Sequence, residues 1–497
     1  MNLRDELAKI RSQKGRVLVV GLGISGIEAA RFLARAGITP IVVEREAEES
    51  YRKKSKLYSE ISKLRELGAE LHFGTDGEKV TALLDGVTLA VLSPGVSLES
   101  AVAGTLRRYP IRLVGELELG VELRGVPALV VTGSNGKSTT VNLMHAMLMA
   151  GGFESTLCGN IGTPVIAAVD PNFEATGTPA NTYQVVEASS YQLEICAVMR
   201  PKIAALLNVS DNHLERHGTM ERYLNCKARI FENQQREDFA LLNYDDARVR
   251  ALAPRLKAQI IWIGQNPEVL KCDAGALIKY DPKSSVDAIH LKLPGHAPEE
   301  VSVSGSPLMG AHNRYNFAFA FSAAKLCGVP TQKLLEVVSS FKTLEHRLEF
   351  IPGTGRLIIN DSKSTTVAAS VAALQAVRAQ FPERHVVVML GGLAKAGAWD
   401  PLMQLIKRDS PSATRVICFG QDASLVASHC RAHAVEHAVS GGVADATAQA
   451  LGMSRKEDLV LFSPGCASFD EFRDFEERGA FFKRCALESA GAAGVHP

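Results

Sequence analysis

The sequence predicts an α/β protein that is divided into three domains. Its 497 residues exceed the size at which a single hydrophobic core stops growing, so about three domains are expected. Short β-branched runs alternate with helical patterns along the chain, and this alternation is typical of parallel sheets covered by helices. Changes in the pattern near residues 114 and 343 predict domains at 1–114, 115–343 and 344–497.

Strands are predicted in each domain from short apolar runs. Those of the first domain are residues 17–20, 41–44 and 89–92, and residues 52–67 are expected to form an amphipathic helix or lid. Those of the second are 128–131, 184–186, 203–207 and 239–242, followed by a polar, hairpin-like insertion at about 264–303. Those of the third are 357–360, 386–390, 416–419 and 459–462.

The composition argues against several classes of protein. The formal net charge of +1 provides no field that would attract nucleic acid or an anionic membrane. The nine cysteines form no C-x-x-C pair, so we expect reduced thiols rather than disulfides or a zinc site. Residues 1–11 are charged, and no apolar run is long enough to cross a bilayer. These features predict a cytoplasmic protein.

The first of two glycine-rich turns has the pattern Gly21-x-Gly23-x-x-Gly26. It follows a predicted strand and precedes a helical stretch, so its backbone N–H groups can meet a diphosphate at a helix N-terminus. Glu44 closes the next strand, about 20 residues on, where an acid that binds ribose is expected. A tight structural turn and a solvated acid explain the same residues. On this motif alone, a nicotinamide-dependent oxidoreductase is the chief alternative.

The second turn contains a lysine and hydroxyl groups as well as glycines. Its sequence is Thr132-Gly133-Ser134-Asn135-Gly136-Lys137-Ser138-Thr139, and it also follows a predicted strand. Lys137 is suited to the β- and γ-phosphates of a nucleoside triphosphate, and Ser138 to Mg²⁺. The oxidoreductase alternative leaves this lysine unexplained. The turn departs from the common phosphate-loop pattern because Val131 stands where that pattern has its first glycine.

Polar side chains follow several predicted strands of the central domain. Glu187 is placed either to bind Mg²⁺ or to cap the next helix. His213 lies in a polar cluster, and Lys227 in a helical stretch. Taken alone, such residues are more often a structural histidine and a salt-bridged lysine than metal ligands.

Other candidate groups lie in turns elsewhere in the chain. Asn313 and Asn316 begin a helix and can contact an adenine or cap the helix. Lysine and arginine in the turns of the third domain suit a carboxylate substrate or a transferring phosphoryl group. These turns are residues 345–347, 360–365, 391–395 and 463–468.

Together, these motifs resemble the Mur ligase family. The family's ATP loop has the form Thr-Gly-Ser/Thr-Asn-Gly-Lys-Ser/Thr, which explains Val131. The match continues in the family's order through residues 159–162, 187–194, 208–213, 227–233, 310–316, 346–347, 361–363 and 463–479. The last segment is most similar to that of the glutamate-adding members, and the Asp-Asn-Pro-Arg element of the diaminopimelate- or lysine-adding members is absent from the sequence.

The resemblance implies a Rossmann-like N-terminal domain for a UDP-linked substrate, a central P-loop ATPase-like domain, and a Rossmann-like C-terminal domain for the incoming amino acid. It implies catalytic roles for Lys137, Glu187, His213, Lys227 and Arg347. The residues it assigns to ATP are Gly133, Ser134, Asn135, Gly136, Lys137, Ser138, Thr139, Asn313, Asn316, Arg347, Asp361 and Lys363. Those it assigns to Mg²⁺ are Ser138, Glu187, His213 and Lys227, the last as a carbamate.

The substrate sites complete what the resemblance implies. The residues expected at the UDP-linked substrate are Gly23, Ile24, Ser25, Glu44, Ser93, Pro94, Gly95, Asn160 and His213. Those expected at glutamate are Thr365, Lys395, Ser468 and Phe475. The implied activity is ATP-dependent ligation of glutamate to UDP-N-acetylmuramoyl-L-alanine through an acyl phosphate, by a monomeric enzyme. The sequence leaves the glutamate enantiomer open, and a folylpolyglutamate synthase-like ligase is the alternative, against which residues 1–114 argue.

Overall fold

The computed structural model describes residues 2–52, 55–174, 181–210, 214–281, 286–304, 311–341, 345–394, 398–407 and 414–493. The chain forms two compact units, Met1–Ser304 with Arg314–Val338, and Gly305–Asn313 with Ser339–Pro497. The first unit contains two β-sheets and the second unit contains one.

The first sheet has five parallel strands in the order β3-β2-β1-β4-β5, with β1 in the centre. These strands are β1 (Arg16–Val20), β2 (Thr39–Val43), β3 (Glu70–His72), β4 (Val87–Leu92) and β5 (Arg112–Gly115). Its helices are α1 (Leu3–Ser12), α2 (Ile24–Arg35), α3 (Glu48–Arg52), α4 (Ser55–Glu66), α5 (Ala101–Leu106) and α6 (Glu116–Arg124). The three predicted strands are confirmed, and most of the described part of the segment predicted as a helix or lid at 52–67 forms α4, with residues 53 and 54 outside the described ones.

The second sheet has nine strands in the order β14-β13-β12-β11-β10-β9-β6-β8-β7. They are β6 (Ala128–Thr132), β7 (Glu154–Gly159), β8 (Thr182–Glu187), β9 (Ile203–Leu206), β10 (Phe239–Asn243), β11 (Gln259–Gly264), β12 (Gly275–Asp281), β13 (Val286–Lys292) and β14 (Glu299–Ser302). The helices are α7 (Lys137–Ala150), α8 (Ser190–Leu193), α9 (Leu214–His217), α10 (Met220–Ala228), α11 (Ala247–Arg250), α12 (Ala311–Leu326) and α13 (Thr331–Ser340). The predicted hairpin-like insertion is the antiparallel run β12-β13-β14, which extends the parallel sheet.

The third sheet has six strands in the order β15-β16-β20-β17-β18-β19, and only β15 is antiparallel to its neighbour. They are β15 (Glu349–Phe350), β16 (Leu357–Asn360), β17 (Val386–Gly391), β18 (Thr414–Phe419), β19 (His437–Val439) and β20 (Leu459–Gly465). The helices are α14 (Val367–Gln380), α15 (Asp400–Lys407), α16 (Ala423–Ala432), α17 (Val443–Met453) and α18 (Phe475–Ala493). The four predicted strands are the four central strands of this sheet.

Continuous apolar runs explain why the central strands are buried on both faces. In β6 and β17, for example, every residue is buried, as helices cover both sides of a parallel sheet. Ligands of such sheets bind at the carboxyl ends of the strands, where the polar turns of this chain lie. All nine cysteines are free in the structure. No described helix is long and apolar enough to cross a bilayer.

Candidate active site

The lysine-bearing turn joins β6 to α7 and depends on a glycine in a left-handed conformation. Gly136 has a φ of +86°, which favours glycine. A Cβ at this position would lie 2.4 Å from Oδ1 of Asn316, so a larger residue would displace that buried amide. Asn316 also accepts a hydrogen bond of 3.2 Å from the Thr140 hydroxyl. Asn316, predicted near adenine, therefore packs against the phosphate turn itself.

Lys137 is the first residue of α7, and its side chain folds back over the turn. Its Nζ donates hydrogen bonds to the carbonyl oxygens of Gly133, at 2.8 Å, and Ser134, at 3.0 Å. Ser138 and Thr139 follow it and are buried. A cation, a hydroxyl and the positive end of a helix thus occupy one turn, which is the chemistry that a nucleoside triphosphate requires.

Two further side chains fix the turn, and the sequence did not assign either of them to the site. Asn208 follows β9, accepts from the Asn135 N–H at 2.9 Å and donates to the Asn135 carbonyl at 3.1 Å. The Tyr223 hydroxyl lies 3.2 Å from the Ser134 hydroxyl. Asn208 belongs to a polar cluster that the sequence made visible, whereas Tyr223 gave no signal because its contact is purely tertiary.

Lys227 lies on α10 and is only 1 % exposed. Its Nζ donates to the Gly133 carbonyl at 2.9 Å and lies 4.6 Å from the centre of the Tyr223 ring. Burial, and secondarily the nearby Lys137 ammonium, lowers the pKa of Lys227 to about 6. This lysine is therefore not solvent-facing and has no ion pair with any described residue, and its amine is largely neutral at pH 7.

Glu187 ends β8 beside the same turn and is 3 % exposed. Its Oε1 accepts a hydrogen bond of 2.9 Å from Nδ2 of Asn160. Its Oε2 is buried and has no hydrogen-bond partner within the described part of the chain. A buried carboxylate oxygen of this kind is costly unless it meets a cation, so the position fits a Mg²⁺ ligand. Asn160, which is predicted to contact the UDP-linked substrate, therefore hydrogen-bonds to a candidate metal ligand, Glu187.

His213 and Lys395 lie outside the described residues. The structure therefore adds nothing to their predicted roles. In the described ranges, no three His, Cys, Asp or Glu side chains are grouped as metal ligands would be. The predicted metal set does not require such a group, since two of its four members are Ser138 and a modified Lys227.

The first glycine-rich turn joins β1 to α2 and is closed tightly on itself. A Cβ on Gly26 would lie 1.9 Å from the carbonyl oxygen of Gly21 and 2.6 Å from the Ser93 hydroxyl. That hydroxyl donates to the Gly21 carbonyl at 2.9 Å. Ser93, and with it the turn Ser93-Pro94-Gly95 after β4, therefore meets the predicted nucleotide turn. In contrast, Gly23 and Ile24 are exposed at the start of α2.

Glu44 has a structural task in this turn. Its Oε2 accepts from the Leu22 N–H at 2.9 Å, and its Oε1 accepts from the Glu46 N–H at 2.9 Å. The acid thus braces the backbone of the turn, which the sequence alone did not indicate. Its role toward a nucleotide stays a prediction.

In the second unit, Asp361 holds a strained turn around Arg347. His346 and Leu348 flank Arg347 with φ values of +64° and +46°, which are rare for residues other than glycine. Asp361 accepts from the Leu348 N–H at 3.2 Å and from the Ser463 hydroxyl at 2.8 Å. Burial raises the pKa of Asp361 to about 6, although these hydrogen bonds oppose the shift. Such strain is concentrated at functional sites.

Of the four predicted glutamate residues, the three that the structure describes, Thr365, Ser468 and Phe475, lie near one another in the same unit. The Lys363 ammonium lies 3.6 Å from the centre of the Phe475 ring, at the start of α18. Thr365 follows on the Asp361–Lys363 turn, and its N–H donates to the Lys363 carbonyl at 2.8 Å. Ser468 is buried after β20. Arg478, which the sequence did not assign to the site, hydrogen-bonds to residues of both turns.

The fold and the site define a three-domain α/β protein with a glycine-rich, lysine-bearing turn between a strand and a helix. Three family descriptions match the chain, namely Mur ligase MurD-like N-terminal domain at residues 15–115, Mur ligase middle domain at 131–324, and Mur ligase glutamate ligase domain at 346–466. The chain belongs to the Mur ligase family.

Individual relatives and solved structures agree with this assignment. The UDP-N-acetylmuramoylalanine–D-glutamate ligase of Koribacter versatilis is 35% identical, covering 96% of this chain and 98% of the relative. The enzyme of the same name from Caldanaerobacter subterraneus is 33% identical, over 95% and 98%. The UDP-N-acetylmuramate–alanine ligase MurC of Thermotoga maritima shares the fold, with a TM-score of 0.56 and 16% identity over 96% and 100%. The MurF ligase of Thermotoga maritima, solved in complex with ADP, has a TM-score of 0.56 and 18% identity over 83% and 91%.

Proposed function

We propose that this protein ligates D-glutamate to UDP-N-acetylmuramoyl-L-alanine, with ATP converted to ADP and phosphate, in the synthesis of peptidoglycan precursors. One observation carries the proposal. A lysine-bearing turn lies beside the buried Oε2 of Glu187, which has no hydrogen-bond partner among the described residues, in a chain that matches a D-glutamate ligase over 96% of its length. The enzyme acts as a cytoplasmic monomer.

The reaction needs ATP because joining a carboxylate to an amine in water is uphill. The alanyl carboxylate attacks the γ-phosphorus of ATP, which forms an acyl phosphate and releases ADP. The amine of glutamate then attacks the acyl carbon, and the amide forms as phosphate leaves and the amine loses a proton. Both steps build negative charge on phosphoryl or acyl oxygens, and such charge is stabilised by preorganised donors and cations.

ATP binds along the turn from Gly133 to Thr139. Lys137 exchanges its hydrogen bonds to the turn's carbonyls for the β- and γ-phosphates. Asn313 and Asn316 bind the adenine side of ATP, and Arg347, Asp361 and Lys363 are further ATP-binding residues. The strained turn around Arg347 supports this role, since Asp361 fixes the backbone that presents the guanidinium.

The residues that would hold Mg²⁺ are Ser138, Glu187, His213 and Lys227, the last as a carbamate. When bound, the metal neutralises charge on the phosphates and polarises them toward attack. The unpartnered Oε2 of Glu187 and the hydroxyl of Ser138 are hard oxygen ligands that fit this ion. Asn160 orients Glu187 through its hydrogen bond to Oε1.

A carbamate on Lys227 explains why a lysine side chain lies where a cation is expected to bind. The neutral Nζ of Lys227 forms a bond to the carbon of CO₂ and releases one proton, which replaces a potential cation with an anionic oxygen ligand. The burial of Lys227 and the repulsion by Lys137 favour the neutral amine that this step requires.

The UDP-linked substrate binds at the carboxyl edge of the first sheet. Gly23, Ile24 and Ser25 present the N-terminus of α2 to the diphosphate, and Glu44 with the Ser93-Pro94-Gly95 turn borders the nucleoside. Asn160 and His213 contact the sugar-peptide end. Thr365, Lys395, Ser468 and Phe475 bind glutamate.

The test is release of phosphate from ATP by the purified protein, with each substrate omitted in turn. We expect release only when UDP-N-acetylmuramoyl-L-alanine and D-glutamate are both present, and little release with L-glutamate. Turnover of a nicotinamide cofactor in place of ATP, or equal release without the UDP-linked compound, would contradict the proposal.

A further inference from the structure

The largest fully buried side chain in the described part of the chain is that of Arg478. It lies in the first turn of α18 and is 1 % exposed. Its Nη2 donates to the Ser362 carbonyl at 2.8 Å, its Nε to the Ser362 hydroxyl at 3.1 Å, and its Nη1 to the Cys466 carbonyl at 3.0 Å. All of these partners are neutral.

This cation is held where its charge is unfavourable. No carboxylate of the described residues pairs with Arg478 within 4 Å; Asp470, Glu471 and Asp361 act on it only at longer range. Burying a charge without an ionic partner is unfavourable, and a cation in the first turn of a helix also opposes the helix dipole. Burial lowers the pKa of Arg478 to about 10, so it remains charged at pH 7. An uncharged side chain of similar volume would fill this space at lower cost.

The position of Arg478 indicates what the charge is for. Ser362 follows β16 and Cys466 follows β20, two adjacent parallel strands, and a Cβ on Gly392, after β17, would lie 3.2 Å from Nη1. The guanidinium therefore lies under the turns at the carboxyl ends of three neighbouring strands, where sheets of this type bind ligands.

The same contacts connect residues that we expect at glutamate. The Ser362 hydroxyl, which accepts from Nε of Arg478, donates to the Phe475 carbonyl at 2.8 Å. Phe475 stacks under the Lys363 ammonium, and Ser468 follows two residues after Cys466. A single guanidinium thus connects the segments that carry three of the residues predicted at glutamate, Thr365, Ser468 and Phe475.

We infer that Arg478 is a positioning residue for the acidic amino-acid substrate, which arranges the turns after β16 and β20 and supplies a buried positive charge that attracts a dicarboxylate. The inference rests on the proposed function. Because it is buried, Arg478 acts through Ser362, Phe475 and the Cys466–Ser468 turn and does not contact the substrate itself.

The test compares Arg478→Met, which removes the positive charge, with Arg478→Lys, which keeps the charge but loses the planar guanidinium and its several N–H donors. Arg473→Met is the matched control, since Arg473 is an exposed arginine in the same segment. We expect Arg478→Met to raise the KM for D-glutamate about tenfold, a loss of about 1.4 kcal/mol. Arg478→Lys is expected to restore part of the loss, and Arg473→Met to leave the KM unchanged.

A second measurement separates positioning from a general structural role. Formation of the acyl phosphate from ATP and UDP-N-acetylmuramoyl-L-alanine without glutamate, trapped as a hydroxamate, is expected to be unchanged in Arg478→Met. Preference for glutamate over glutamine as the amine is expected to fall, because glutamine lacks the side-chain charge. An unchanged KM for D-glutamate in Arg478→Met, or equal slowing of acyl-phosphate formation and ligation, would overturn the inference.

If Arg478→Met does not fold, Ser362→Ala provides the same test, because it removes the hydroxyl between Nε of Arg478 and the Phe475 carbonyl while the cation remains. A raised KM for D-glutamate with normal acyl-phosphate formation supports the inference, and a wild-type KM overturns it. Failure of the wild-type protein to form any acyl phosphate would instead reject the proposed function.

Discussion

The amine nitrogen of Lys227 lies 2.9 Å from the carbonyl oxygen of Gly133, in the turn that we expect to hold the phosphates of ATP. The side chain is almost fully buried, and Lys137 lies near enough to repel its proton. A buried, neutral lysine at this point has a chemical use if it becomes a carbamate.

Lys227→Ala is expected to lower ligation at least about 100-fold, since a metal ligand is lost. A short carboxylic acid such as acetate or formate should restore part of the rate by occupying the space of the carbamate. Phosphate release at increasing acid concentration measures the rescue, and Lys333→Ala, at an exposed lysine, is the control. Full activity of the unrescued variant would remove Lys227 from the metal site.

Lys137→Ala is expected to abolish turnover, because the phosphates lose the cation that neutralises their developing charge. The same rate assay measures the loss, and thermal unfolding shows whether the variant is folded. Near-normal ligation by the folded variant would contradict the assignment of this turn to ATP.

Gly26→Ala is expected to destabilise the first unit by roughly 1–3 kcal/mol, because the added methyl would lie 1.9 Å from the Gly21 carbonyl. Gly23→Ala, three residues earlier, is the matched control, because nothing lies within 4 Å of its Cβ position. Thermal unfolding of the two variants compares them directly. Equal stability would mean that the turn is not closed as described.

Glu116→Gln is expected to change how stability depends on pH. Burial raises the pKa of Glu116 to about 7, although the Ile166 N–H donates to its Oε1 at 2.9 Å and opposes the shift. The folded protein keeps this proton up to about pH 7, whereas the unfolded chain loses it near pH 4.5. The folded state therefore binds more protons in that window, and stability falls as the pH rises through it.

The glutamine variant lacks this titration. As the pH rises through the window, its free energy of unfolding should therefore increase relative to that of the wild type by about 1.4 kcal/mol per pH unit. Chemical unfolding at pH 5, 6 and 7 measures the difference, with Glu78→Gln at an exposed position as the control. Parallel pH profiles for wild type and Glu116→Gln would show that Glu116 is ionised in the folded protein.

The sequence predicted the elements whose signal is local. The central strands β1, β6, β17 and β20 were recognised because continuous apolar runs are buried on both faces. The edge strands β3 and β7 were missed, since Glu70–His72 and Glu154–Gly159 are short or polar and depend on pairing with a neighbour.

The same distinction between local sequence patterns and tertiary contacts applies to the candidate site. The lysine-bearing turn between β6 and α7 could be predicted because its glycine, lysine and hydroxyl positions follow one another along the chain, and its role toward phosphate stays a prediction. Other contacts join residues that are distant in sequence. Asn208 and Tyr223 hydrogen-bond to the lysine-bearing turn, Glu44 accepts from the Leu22 N–H, and the buried Arg478 donates to Ser362. Their roles depend on tertiary geometry that no local pattern encodes.

The most direct measurement is the stoichiometry of a single reaction containing ATP, UDP-N-acetylmuramoyl-L-alanine and D-glutamate, with the UDP-linked product identified by mass spectrometry. We expect one phosphate to be released for each glutamyl residue added, and no product to form when Lys137 is replaced by alanine. Phosphate release without a UDP-linked product, or product formation that is independent of ATP, would contradict the proposed function.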